Sequence, residues 1–139
     1  MTPDRRAMRQ PFLDAWQKFQ QHLPLTPIEL AVSDIIREHP EYHALFADPE
    51  RALSQDWPPE HGETNPFLHL GLHLSIREMA QIDQPHGFKA AYLQRCERHG
   101  DRLAAEHAMM DCLAESLWQA QRRGAEPDGA ALLDCLNNF

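Results

Sequence analysis

The chain has 139 residues and a net charge of −8 at neutral pH, with 13 Lys and Arg against 21 Asp and Glu. This length suits one domain with a substantial core, and the acidic balance gives no reason to expect nucleic acid or an anionic membrane surface as a partner. Its longest near-apolar stretch is far shorter than the roughly 20 residues of a membrane span. The N-terminal residues lack the apolar core of a signal peptide, so we expect a cytoplasmic protein.

The composition favours helices over strands. The chain contains 17 leucines and 17 alanines, but only one valine and five isoleucines. Strands are enriched in β-branched residues, whereas Leu and Ala are strong helix formers. We therefore predict an all-α fold, a single-domain helical bundle over residues 1–139 built of four longer helices plus short helices.

Two amphipathic helices are predicted before residue 40. Large apolar side chains recur every three to four residues from Phe12 to Leu23, which is typical of a helix with one buried face. The sequence Thr26–Glu29 is a capping box that opens the second helix. Its apolar stripe begins at Ile28 and includes His39, and Pro40 should end it, because the residue before a proline is disfavoured in helical conformation.

The rest of the chain is punctuated by caps, prolines and glycines. In chain order we expect short helices over 41–47 and after Asp48–Pro49, a loop over Gln55–Thr64, a helix from Asn65–Pro66 to about Ile82, a turn over 83–87, a helix over Phe88–His99, a helix from Asp101 to about Arg123, and a final short helix opening at Pro127–Asp128. The length of the loop makes it the best candidate for a mobile element.

The cysteines and glycines exclude several classes of protein. Cys96, Cys112 and Cys135 are odd in number and widely spaced, so we expect three reduced thiols packed as small hydrophobic residues rather than a disulfide scaffold or a zinc ribbon. The six glycines form neither a phosphate-binding loop nor a dinucleotide fingerprint, and the common hydrolase motifs are absent. No particular reaction is predicted.

The histidines are the most informative residues. In the segment Phe67–Leu74 the only polar side chains are His69 and His73, and a helix that is apolar on all sides is usually buried. Their i and i+4 spacing places both imidazoles on one helix face, where they can reach one metal ion. Buried imidazoles without partners would cost about 1–3 kcal/mol each, so we expect something to satisfy them.

Other helices offer further ligands to such a metal ion. With His69 and His73 as the core, the candidate ligands are His39, His43, His107 and Asp111. Inward-facing histidines and carboxylates from several helices are how bundles hold metal ions, and this mixed set suits iron, manganese or zinc. The alternative is a non-catalytic structural or protein-interaction domain whose buried histidines only hold the helices in register. A protein partner is compatible with either interpretation, and the sequence does not indicate the oligomeric state.

Several short motifs together resemble those of the bacterial domain-of-unknown-function family 1841. The resemblance extends from about Arg9 to Leu136 and rests on these segments: His39-Pro-Glu-Tyr-His43, Asn65-Pro-Phe-Leu-His-Leu70 with His73, Asp83-Gln-Pro85, Cys112-Leu-Ala-Glu115, Trp118-Gln-Ala-Gln121 and Pro127-Asp128. It implies a complete small bacterial protein and carries no established activity, so it leaves the chemistry open.

Overall fold

A computed structural model describes residues 4–58 and 64–138. Every regular element in these two ranges is helical, which confirms the predicted all-α class. The chain divides into two compact units, Met1–Leu74 and Ser75–Phe139. Within the described ranges, no helix combines the length and apolar character needed to cross a membrane. Of the predicted loop over 55–64, residues 59–63 lie outside the described ranges.

The first unit begins with helices α1 (Arg5–Gln20) and α2 (Pro27–Arg37), which pack against each other. Helix α1 starts earlier than its apolar repeat predicts, because the side chain of Asp4 caps it by accepting a hydrogen bond from the backbone N–H of Arg6. The capping box at the start of α2 is confirmed, with both reciprocal hydrogen bonds formed.

The buried face of α2 differs from the predicted stripe. Ile28 is 62% exposed, whereas Ser33 is buried and its hydroxyl donates a hydrogen bond to the carbonyl of Ala15 at 3.1 Å. The face toward α1 is therefore rotated toward Ser33, and the core begins one turn later than expected. The prediction that Ile28 belongs to the core was wrong.

Three short elements follow α2 and complete the first part of this unit. They are a 3₁₀ helix (Pro40–Tyr42), α3 (His43–Phe46) and α4 (Pro49–Ser54). Helix α4 packs against α1. The core of the unit is apolar and aromatic, and its buried members include Leu13, Trp16, Ile35, Ile36, Phe46, Leu53 and Leu70.

Helix α5 (Pro66–Ile82) begins in the first unit and ends in the second. As predicted, Asn65 caps its N-terminus, because its side-chain oxygen accepts the backbone N–H of Phe67 at 2.9 Å. The helix is not buried on every side, however. Leu70 is fully buried, whereas Leu68 is 59% exposed, so the apolar run forms one buried face and one exposed edge.

The second unit contains α6 (Phe88–His99), α7 (Arg102–Arg123) and α8 (Gly129–Asn137), which pack against one another. Gly100 and Gly124 adopt left-handed backbone conformations at the ends of α6 and α7, as their positions predict. Asp101 and Asp128 cap the N-termini of α7 and α8. The buried side chains of this unit include Phe88, Met109, Leu113 and Leu136.

The structure corrects the expectation of three reduced thiols. Cys112 on α7 and Cys135 on α8 form a disulfide, and Cys96 is the free cysteine. Sequence spacing could not reveal this pair, because the two cysteines are 23 positions apart and the turn that folds α8 back onto α7 lies between them. Within this unit the disulfide links the last two helices covalently.

Candidate metal centre

His39 is placed by the proline that follows it. Pro40 ends the helix, and His39 lies beyond the last residue of α2 with φ −123° and ψ 70°. Its backbone N–H donates to the carbonyl of Ile36, and its ring Nδ1–H donates to the carbonyl of Ile35 at 2.7 Å. The imidazole therefore satisfies a carbonyl that the ended helix leaves without an intrahelical donor. The residue is only 4% exposed.

His69 and His73 lie one turn apart on the part of α5 that belongs to the first unit. His73 has no exposed surface, and His69 is half-buried. Their ring centroids are 4.9 Å apart, and the ring of His39 lies 5.1 Å from that of His69 and 4.7 Å from that of His73. The three rings form a nearly equilateral triangle and meet at steep angles of 62–80°.

These distances can be compared with those of a metal-bound set. Three imidazoles that coordinate one ion tetrahedrally at about 2.0–2.1 Å place their ring centroids roughly 5 Å apart. The three rings already have this spacing. One nitrogen of each ring lies within 4.8 Å of a nitrogen of the other two, against roughly 3.3 Å in a closed tetrahedral set. Small rotations of the side chains would therefore bring the nitrogens onto one ion.

Tyr42 lies beside this triangle and was not predicted as part of it. Its ring is parallel to that of His39, at an interplanar angle of 4° and a centroid distance of 5.6 Å, and it lies 6.2 Å from the ring of His69. Burial, with a smaller contribution from the charge of Glu41, raises the pKa of Tyr42. The neutral phenol ring therefore covers one side of the histidines.

Arg9 is a second residue that the sequence did not identify. Its side chain is buried, and its Nη1 donates to the carbonyls of Ala52 and Gln55 at 3.1 and 2.9 Å. Its guanidinium lies over the rings of Trp57 and Phe67, at 5.1 and 4.9 Å from their centroids. Because Phe67 is in the first turn of α5, Arg9 ties α1 and the end of α4 to the helix that carries His69 and His73.

His43 is not placed with the other three histidines. Its ring Nε2–H donates to the carbonyl of Ile36 at 2.9 Å, and its ring lies 5.0 Å from that of Trp16. Pro40 has no N–H to donate to this carbonyl as a continuing helix would, so the ring of His43 donates to it alongside the backbone N–H of His39, and His43 caps the helix end instead of facing the cluster. Sequence spacing across Pro40 could not indicate this orientation.

His107 and Asp111 lie in the second unit, one turn apart on α7, and both are exposed. Their membership in a ligand set stays a prediction.

The second unit buries a charged cluster that was not predicted. Glu106 has no exposed surface. Its carboxylate accepts a hydrogen bond from the hydroxyl of Tyr92, with 2.6 Å between the oxygens, and further hydrogen bonds from two nitrogens of Arg77 at 2.9–3.2 Å. Arg102 donates to the hydroxyl oxygen of Tyr92 at 3.0 Å. Burial first, and then the hydrogen bond to Glu106, raise the pKa of Tyr92 well above its ordinary value. The only local signal for this cluster is the i and i+4 spacing of Arg102 and Glu106, which could have indicated an ion pair.

A family model described as Domain of unknown function (DUF1841) matches residues 4–138. No curated protein and no solved structure matches the chain.

Proposed function

Because the chain belongs to the DUF1841 family, whose description assigns no activity, we propose its function from its own site: it binds a transition-metal ion through His39, His69 and His73. The observation that carries this proposal is the triangle of three rings with centroids 4.7–5.1 Å apart. Two of these rings are on residues that are almost completely buried. Three imidazoles gathered in a core are an unusual arrangement unless they share a ligand.

The surroundings of the triangle support a preorganised site. Imidazoles that bind metals usually donate their second ring N–H to a carbonyl or carboxylate, which fixes the tautomer and the orientation of the ring. His39 has such a partner in the carbonyl of Ile35. Tyr42 stacks on the same ring and restricts its rotation further.

Iron, manganese and zinc are the ions to test. A bound ion could support hydrolysis by activating water, or redox chemistry if it is iron or manganese. Whether His107 and Asp111 also bind the ion is tested by measuring the metal content of His107→Ala and Asp111→Asn variants.

The test is metal content. Tag-free protein is stripped with a chelator, reconstituted with each ion in turn, desalted and analysed by elemental mass spectrometry. We expect close to one equivalent of at least one ion. Less than about a tenth of an equivalent of every ion after reconstitution would exclude the site.

Variants separate ligands from structural residues. His69→Ala is the main one, because the half-buried His69 leaves less of a void than the fully buried His73, and it should lose the metal while keeping its helical circular dichroism. The matched control is His22→Asn. His22 is exposed and has a left-handed backbone conformation (φ 59°), which asparagine tolerates. A second control, His43→Ala, removes a hydrogen bond to the end of α2 and should keep the metal.

One observation favours the alternative of structural histidines. His39 and His43 both bond to carbonyls at the end of α2, so each has a structural role without any metal. In that case His69→Ala would lower the free energy of unfolding by the same amount with and without added metal. With a metal site, added metal would stabilise the wild type and not the variant.

A further inference from the structure

The composition of the cluster points to the class of ion that it takes. From the donor atoms and their hydrogen bonds we infer that the site selects a divalent ion that prefers imidazole ligands, with affinity decreasing from zinc to iron to manganese. We also infer that His39 coordinates this ion through Nε2. This inference rests on the proposed function. The inference goes beyond the proposed function, because the sequence did not distinguish among iron, manganese and zinc as the bound ion.

The first observation is the chemistry of the donor atoms. In the residues that the structure describes, the potential ligand atoms that cluster around His39, His69 and His73 all belong to imidazoles. Imidazole nitrogen suits zinc, copper, nickel and iron, whereas manganese prefers carboxylate, carbonyl and water oxygens. The stability order of divalent ions at nitrogen donors also rises from manganese through iron toward zinc.

The second observation is the charge of the cluster. Three neutral imidazoles supply no negative charge to offset that of the ion, and the place is largely buried, since His39 and His73 are 4% and 0% exposed. Manganese and iron sites in helical bundles instead use several carboxylates, which neutralise their ions.

The third observation fixes the coordinating atom of His39. Its Nδ1 is 2.7 Å from the carbonyl oxygen of Ile35, so Nδ1 must carry the proton of this hydrogen bond. A neutral imidazole holds one proton, which leaves Nε2 with the lone pair that binds the ion. The carbonyl also increases the basicity of the ring and thereby strengthens the bond to the metal.

The experiment is a competition on the full tag-free chain. Chelator-treated protein is dialysed anaerobically against equal concentrations of Zn²⁺, Fe²⁺ and Mn²⁺, then desalted and analysed for each element. We expect zinc to exceed manganese by roughly 100-fold or more, with iron between them. Comparable amounts of zinc and manganese, or more manganese than zinc, would overturn the inference while leaving metal binding itself intact. No retention of any ion would overturn the proposed function as well.

A variant and a spectroscopic measurement sharpen the test. His69→Asp replaces one imidazole by a carboxylate at the half-buried position, so the ratio of zinc to manganese should fall about tenfold or more, whereas His22→Asn should leave it unchanged. Long-range ¹⁵N–¹H correlation spectra of the zinc-loaded protein should show protonated Nδ1 and metal-shifted Nε2 in His39. An unchanged ratio in His69→Asp, or coordination through Nδ1, would contradict the assignment.

Discussion

Replacing Arg9 by methionine tests whether one buried cation holds the first unit together. Methionine keeps an unbranched side chain that can pack between the rings of Trp57 and Phe67, but it donates no hydrogen bond. The variant loses two good bonds, to the carbonyls of Ala52 and Gln55 at 3.1 and 2.9 Å, and a longer one of 3.4 Å to Leu53.

The expected loss follows from these contacts. A hydrogen bond to a charged group contributes about 1.5–3 kcal/mol, so two of them give roughly 3–6 kcal/mol. Part of this is offset, because methionine removes the cost of burying a guanidinium. We therefore expect Arg9→Met to lower the free energy of unfolding by about 2–4 kcal/mol.

The assay is urea denaturation followed by far-ultraviolet circular dichroism, with hydrogen exchange to locate the change. Exchange should become faster in α4 and in residues 55–58. The matched control is Arg6→Met on the same helix. Arg6 is exposed and pairs with exposed Glu50, so its loss should leave the unfolding free energy within experimental error. If Arg9→Met lowers the free energy of unfolding no more than Arg6→Met does, the reasoning about buried hydrogen bonds is refuted.

Two further predictions concern the second unit. Replacing Cys135 by serine should lower the free energy of unfolding by about 3 kcal/mol, because it frees a loop of some 23 residues in the unfolded chain. The control is Cys96→Ser, which leaves the disulfide in place. An effect of Cys135→Ser below about 1 kcal/mol, or three reactive thiols in unreduced protein, would contradict the disulfide. Because the folded state holds the proton of Tyr92 to higher pH than the unfolded state, stability should be complete below about pH 10 and fall above it. When the free energy of unfolding is measured by urea titration at several pH values, that of the Tyr92→Phe variant should fall less steeply with pH above about pH 10. An equal dependence on pH in the variant and the wild type would refute this.

The sequence predicted the helix boundaries well, because local chemistry determines them. Thr26 and Asn65 cap helices through their own side chains, and Gly100 and Gly124 adopt the left-handed conformation that ends one. These signals act over four or five residues. The arrangement of the helices as a bundle and the limits of a single domain stay predictions.

The site was predicted only where one helix determines it. The spacing of His69 and His73 within α5 is a local property, and both belong to the cluster. His39 was expected on the stripe of α2 but lies beyond its end, and its position depends on how α2 meets α5 within the first unit. Tyr42, Arg9 and the cysteine pair depend on contacts across helices, which periodicity does not encode.

The disulfide between α7 and α8 also determines how the chain responds to cleavage. The connection between these helices, residues 124–128, is exposed along its whole length, and exposed connections are where proteases cut most readily. A cut there would divide the polypeptide, yet Cys112 and Cys135 lie on opposite sides of it. The last helix would therefore stay attached to the rest of the protein after proteolysis, and its loss would require a reductant as well as a protease.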